Sequence, residues 1–134
     1  MSKTSPAPET CPCGRPLPYD ACCGRYHQGP LHLQAPDPET LMRSRYTAFV
    51  LNVGAYLLNT WHPSTRPAQI EAPEAGLRWL GLTVREARLA DEACGTVSFV
   101  ARYKLGGRAF RMEEVSRFVR EEGHWYYVDA LPQG

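Results

Sequence analysis

Between Asp37 and Gly54 the chain reads DPETLMRSRYTAFVLNVG, and Met42, Tyr46, Phe49, Val50 and Val53 return at three- and four-residue intervals. That period predicts a helix with these side chains on one face. Asp37 suits the N-cap, Pro38 the first helical position, and Glu39 the positive end of the helix dipole. Gly54 is expected to end or bend the helix. AYLLNTWH reads as a second short helix stopped by Pro63, and PAQIEA as a third, broken by Pro73. After Gly76 the period shortens to two. Leu80, Leu82 and Val84 alternate to one side, and Val97, Phe99, Ala101 and Tyr103 alternate against Thr96, Ser98, Val100 and Arg102. Gly106-Gly107 marks a tight hairpin. RAFRMEEVSRFVRE and HWYYVDA complete four strands, joined through Glu122-Gly123. Short links allow only an antiparallel meander. The predicted fold class is α+β, with helices packed on one face of a four-stranded antiparallel sheet. Strong twist around a helix makes such a sheet a cone, whose concave mouth is a common ligand site.

The N-terminal part follows no such period. CPCGRPLPYDACCG places Cys11, Cys13, Cys22 and Cys23 within thirteen residues. Adjacent cysteines fit disulfide geometry poorly. Two pairs joined by a short loop suit a closed tetrahedral thiolate site, structural rather than catalytic because no ligand position is left open. Zinc is the expected metal, one per chain, with iron as the alternative. Gly14 and Gly24 are expected to supply positive φ around the ion, and Pro12, Pro16 and Pro18 to stiffen the loop. His27 either replaces one cysteine or stands solvated on the surface. Cys94 reads as a small residue opening a strand. The division expected is a knuckle over residues 1–25, a linker over 26–36 rich in Pro, Gly, His and Gln, and a cone domain over 37–134. The cone is expected to stay folded without the knuckle.

Composition narrows the function classes. The 134 residues are 43% hydrophobic and 22% charged with a net charge of +1, which disfavours nucleic acid or the ribosome as partner and gives no field toward a membrane. MSKTSPAPET lacks the apolar core of a signal peptide, and no apolar run reaches the roughly 18 residues of a span. The expected location is the cytoplasm, where clustered cysteines read as metal ligands.

In the body, Arg43 and Arg45 lie about 200° apart around the helix axis and cannot share a face. One of them suits a pocket anion, or else an ion pair with Glu113, Glu114 or Asp129. Trp61 and His62, at the end of the second helix, offer either a general base at the cone mouth or a helix cap. Arg43, Arg45, Tyr46, Trp61 and His62 are therefore the candidate pocket residues, and no catalytic residue is assigned. Alternation also puts Glu114, Ser116 and Phe118 on one face of the third strand. If that face is inward, its polar members join the pocket.

The pattern C-x-C-G, eight residues, C-C-G resembles the SEC-C motif, the zinc-binding tail of the SecA translocation ATPase. The resemblance implies Cys11, Cys13, Cys22 and Cys23 as ligands and Tyr19 at the motif's aromatic position. The loop RPLPYDA lacks the motif's usual lysines, which weakens a basic docking surface. LMRSRYTAFV, YLLNTWHPSTRP, WLGLTV, VSFVARY and WYYVDA resemble the YchJ family of bacterial proteins. That resemblance implies a SEC-C motif ahead of a domain similar to nuclear transport factor two, matching the cone. The functional expectation is a zinc-binding module whose cone takes a protein partner or small ligand. The alternative is an enzyme acting on a small molecule in the cone pocket.

Overall fold

The computed structural model describes residues 10–131. Behind a single 3-10 turn at Tyr19–Ala21 come helices α1 (Gly24–His27), α2 (Pro38–Leu51) and α3 (Gly54–Asn59). Strands β1 (Arg78–Asp91), β2 (Cys94–Leu105), β3 (Arg108–Glu121) and β4 (His124–Ala130) follow. They pair in sequence order as one antiparallel sheet. The fold is the α+β meander expected, with α2 packed on β1, β2 and β4.

Local chemistry sets the start of α2. The Asp37 carboxylate accepts from the Thr40 N–H at 2.7 Å, and Pro38 occupies the first turn. The helix ends at Asn52, which takes the left-handed conformation at φ 61°. Gly54 instead opens α3, so the expected stop falls two residues early, on a residue type that also tolerates αL. The stretch PAQIEA forms no helix. In β1 the alternation breaks at a register shift between Trp79 and Gly81. Leu80 is carried out of the pleat and is 49% exposed, while Leu82 is buried. A bulge leaves one residue unpaired and reverses the face of its neighbour.

The core lies between α2, α3 and the concave face of the sheet. Leu41, Tyr46, Tyr56, Leu57, Val97, Phe99, Phe118 and Trp125 are all buried there. Helix α2 is not a one-sided amphipath. Ser44, Arg45 and Thr47 are buried along with Met42 and Tyr46, whereas Phe49 is exposed. The sheet covers one side of the helix, and the knuckle and α3 cover the other. Residues 26–36, expected as a linker, contribute buried Tyr26, His27 and Ala35. No helix among the described residues is long and apolar enough to cross a membrane.

Candidate metal centre and ligand cavity

The sulfurs of Cys11, Cys13, Cys22 and Cys23 all lie within 4.8 Å of one another, on side chains no more than 2% exposed. All four cysteines are free thiols. Four sulfurs at about 2.3 Å from a common ion stand about 3.8 Å apart. The Cys13–Cys22 separation is 3.6 Å. Crowding drives the thiols apart in acidity. Hydrogen bonds from Cys13 and Cys23 pull Cys11 far below the usual thiol range. Burial, then charge on Cys13, pushes Cys22 up to about 11, and the bond to Cys11 above all raises Cys23. Such a set cannot carry four like charges unaided, and a divalent cation would bring it to a common thiolate state. The donor set therefore fits a metal ion.

The loop is built tightly around this cluster. Cys11 N–H donates to Leu17 O at 2.7 Å and Gly14 N–H to Cys11 O at 3.1 Å. Gly14 has φ 96°, as expected. Gly24 is needed for a different reason: it lies within α1, and a Cβ there would stand 2.9 Å from the Tyr19 ring and carbonyl.

Helix α2 receives the knuckle through polar groups. Thr47 Oγ1 donates to Cys23 Sγ at 3.4 Å. Arg43 Nη1 donates to Cys13 O at 2.7 Å, and its Nε to Glu39 Oε2 at 2.9 Å. His27 is buried, neither solvated nor one of the clustered ligands. Its Nε2 lies 2.8 Å from the Ser44 carbonyl, which can only accept, so Nε2 carries the proton. Nδ1 is then the acceptor for Tyr19 O–H at 2.7 Å. Burial holds His27 below its usual acidity range, which keeps this neutral tautomer.

On the sheet side of α2 lies a cavity of about 320 Å³. Met42, Arg45, Tyr46, Phe49, Trp61, Trp79, Phe99, Ala101, Met112, Glu114, Ser116 and Tyr127 line it. Arg45 is 3% exposed. Its Nη1 donates to Leu57 O at 2.8 Å and Thr60 Oγ1 at 2.7 Å. The guanidinium lies 4.5 Å from the Tyr127 ring centroid and 5.1 Å from that of Trp61. Among the described residues, no carboxylate forms an ion pair with it. Burial lowers its pKa to about 10, so it stays charged at neutral pH. The backbone sets Trp61: His62 N–H donates to Tyr127 O and Tyr127 N–H to Thr60 O, both at 2.8 Å. The Trp61 indole N–H is buried with no acceptor among the described residues. From the sheet wall, Glu114 accepts from Ser116 Oγ at 2.8 Å. Burial pushes the Tyr46 hydroxyl up to about 12 and raises Tyr127 too, so both remain protonated.

Of the five candidate pocket residues, the structure gathers Arg45, Tyr46 and Trp61 at the cavity. Arg43 points to the knuckle, on the opposite side of α2 as the helix geometry requires. His62 is not among the lining residues. Its Nε2 lies 2.8 Å from Glu121 Oε2, and its Nδ1 accepts from Ser64 N–H at 3.1 Å. Glu114, Ser116 and Phe118 do face inward. The sequence places Trp79, Phe99, Met112 and Tyr127 on strands and leaves open an aromatic-lined pocket, without fixing which of these side chains line it. Alternation pairs Tyr103 with Phe110 and Ala101 with Met112 across β2 and β3, which is the signal that could have found Met112.

A cysteine knuckle docked on the helix of an α+β cone defines the class: a SEC-C motif protein with a body like nuclear transport factor two. The chain belongs to the YchJ family, whose curated members are named UPF0225 proteins. Residues 37–130 match the YchJ middle NTF2-like domain. A UPF0225 protein of Methylibium petroleiphilum is 63% identical over 124 residues, covering 92% of this chain and 89% of the relative. One from Bordetella parapertussis is 55% identical over 130 residues, covering 97% and 98%. The solution structure of a SEC-C motif containing protein from Rhodopseudomonas palustris superposes with a TM-score of 0.77 at 29% identity, covering 94% of this chain and all of that one. No specific role is established for the family.

Proposed function

We propose that this is a cytoplasmic small-molecule-binding protein whose knuckle holds one structural zinc. Cys11, Cys13, Cys22 and Cys23 would bind the ion, and zinc is preferred over iron because a closed, buried tetrahedral thiolate set is the common donor set of structural zinc. The ion would supply folding energy rather than chemistry, fastening the loop to the helix that floors the cavity.

One observation carries the ligand-binding reading: Arg45 is a buried charge facing a mostly aromatic cavity, hydrogen-bonded only to neutral groups, while Glu114 lines the same space without pairing to it. A buried guanidinium without a directly paired carboxylate is costly, and a core built only for stability would replace it with a methionine or leucine. A ligand supplying an acceptor would remove that cost when bound. The volume is near the lower end of the range for small-molecule sites, roughly 300–1,000 Å³.

The three tryptophans give the test. Trp61 and Trp79 line the cavity, while Trp125 is buried in the core outside its lining. In NMR spectra of the full chain, a fragment that binds should move the Trp61 and Trp79 indole N–H signals and spare Trp125. A broad set of single-ring fragments that moves none of them overturns the reading. Elemental analysis should find one zinc per chain.

A further inference from the structure

We infer that the cavity selects an aromatic carboxylic acid that also carries a hydroxyl or amine donor; this rests on the ligand-binding reading above. The walls are mostly aromatic. Phe49 and Trp79 meet at 6.2 Å between centroids, Tyr46 and Trp79 at 5.6 Å, and Trp61 and Tyr127 at 5.1 Å, in tilted or edge-to-face pairs. Tilted rings bounding one space present faces and edges to a flat guest, the arrangement aromatic surfaces favour. The volume is that of roughly ten waters, enough for a single substituted ring.

Two charged side chains, of opposite sign, line the cavity. On the helix wall stands Arg45, a planar fork of donors suited to a carboxylate. Two neutral acceptors engage only its Nη1, through Leu57 O and Thr60 Oγ1. On the sheet wall stands Glu114, held by Ser116 and acting as acceptor. The two charges line one space yet do not pair with each other. An acid without a donor would leave Glu114 facing apolar surface, and a neutral guest would leave Arg45 as it was. A ring with a carboxylate at one end and a donor at the other satisfies both walls at once.

The experiment titrates three probes into the zinc-loaded full chain and reads the Trp61 and Trp79 indole signals. The probes are para-hydroxybenzoate, benzoate and para-hydroxybenzyl alcohol. The acid should bind about tenfold or more tighter than the alcohol, the scale of a hydrogen bond to a charged group. It should exceed benzoate by about threefold, the scale of a weaker, half-exposed bond. Arg45→Met should abolish the first ratio, and Glu114→Ala the second. Equal affinity for acid and alcohol in the unmodified chain overturns the inference while leaving the cavity a binding site. Silence of all three probes at both tryptophans overturns the inference, while the broad fragment set decides the ligand-binding reading. An Arg45→Met protein that keeps the acid preference also overturns the inference. If that variant does not fold, the ratios in the unmodified chain decide alone.

Discussion

The two sides of helix α2 treat their polar groups differently. On the knuckle side, each polar group described meets a protein partner: Arg43 meets Cys13 and Glu39, Thr47 meets Cys23, and Ser44 O meets His27. On the cavity side, Arg45 meets only neutral atoms, and the Trp61 N–H meets none. Two arginines two residues apart thus do opposite things. The closed side behaves as core made from polar parts. The open side keeps hydrogen-bonding capacity in reserve, and buried capacity left unused is destabilising unless something binds it.

The largest effect that could break this contrast is loss of a thiolate. Cys22→Ser should remove the zinc, and with it a share of the roughly 10–16 kcal/mol of apparent binding energy that structural sites supply. Elemental analysis should fall from one zinc to near zero, with a large drop in melting temperature. Deleting residues 1–34 should likewise abolish cooperative unfolding, because it removes Tyr26 from the core and uncovers Ser44 and Thr47. A deletion that unfolds cooperatively would show that the cone stands alone, as composition suggests.

His27→Leu comes next, at about 1–3 kcal/mol, the cost of leaving the Tyr19 hydroxyl unpaired in the docking surface. Its pH signature is specific. Folding lowers the His27 pKa through burial, so the unfolded chain binds the extra proton more readily. The stability tied to neutral His27 is therefore complete above the ordinary histidine pKa of about 6.5 and is lost as pH falls below it. Denaturant midpoints for both proteins across this range should converge at low pH; a constant gap would remove His27 from the account.

The smallest effects give the sharpest comparison. Arg43→Ala should cost about 1–2 kcal/mol by breaking its tie to the knuckle. Arg45→Met should stay within about 1 kcal/mol, since relieving the burial of a charge with no paired carboxylate offsets the loss of its two neutral hydrogen bonds. Chemical denaturation of both variants checks this. A loss of about 3–5 kcal/mol at Arg45, the size expected for one half of a buried ion pair, would make it structural.

Much of this was legible from local signals. Asp37 and Pro38 mark the start of α2 because capping is chemistry between near neighbours. The cysteine spacing gives the cluster because two short-range pairs need one loop to meet. Glu114 and Ser116 follow from alternation once an inward face is chosen. What sequence could not supply was long-range. The burial of Ser44 and Thr47 depends on the knuckle docking some twenty-five residues away along the chain. The same docking supplies the Cys13 carbonyl that Arg43 meets and makes His27 a tether. The outward turn of Leu80 depends on how β1 registers against β2, which one strand read alone does not encode.

The irregular pairing of β1 bears on how this protein behaves in a crowded solution. At fourteen residues, β1 is a long strand with one edge unpaired within the sheet. Such an edge is a template on which another chain can add a strand. Three register shifts, at Trp79/Gly81, Val84/Glu86 and Leu89/Asp91, interrupt it, and Arg78, Arg85, Glu86 and Arg88 charge it. An incoming strand would meet hydrogen-bonding groups out of step at each shift and a row of charged side chains along the edge. At the other edge, Trp61 lies in a parallel bridge against Tyr127 and so occupies part of β4. The bulge that misdirects Leu80 thereby helps keep the folded sheet from growing into an aggregate.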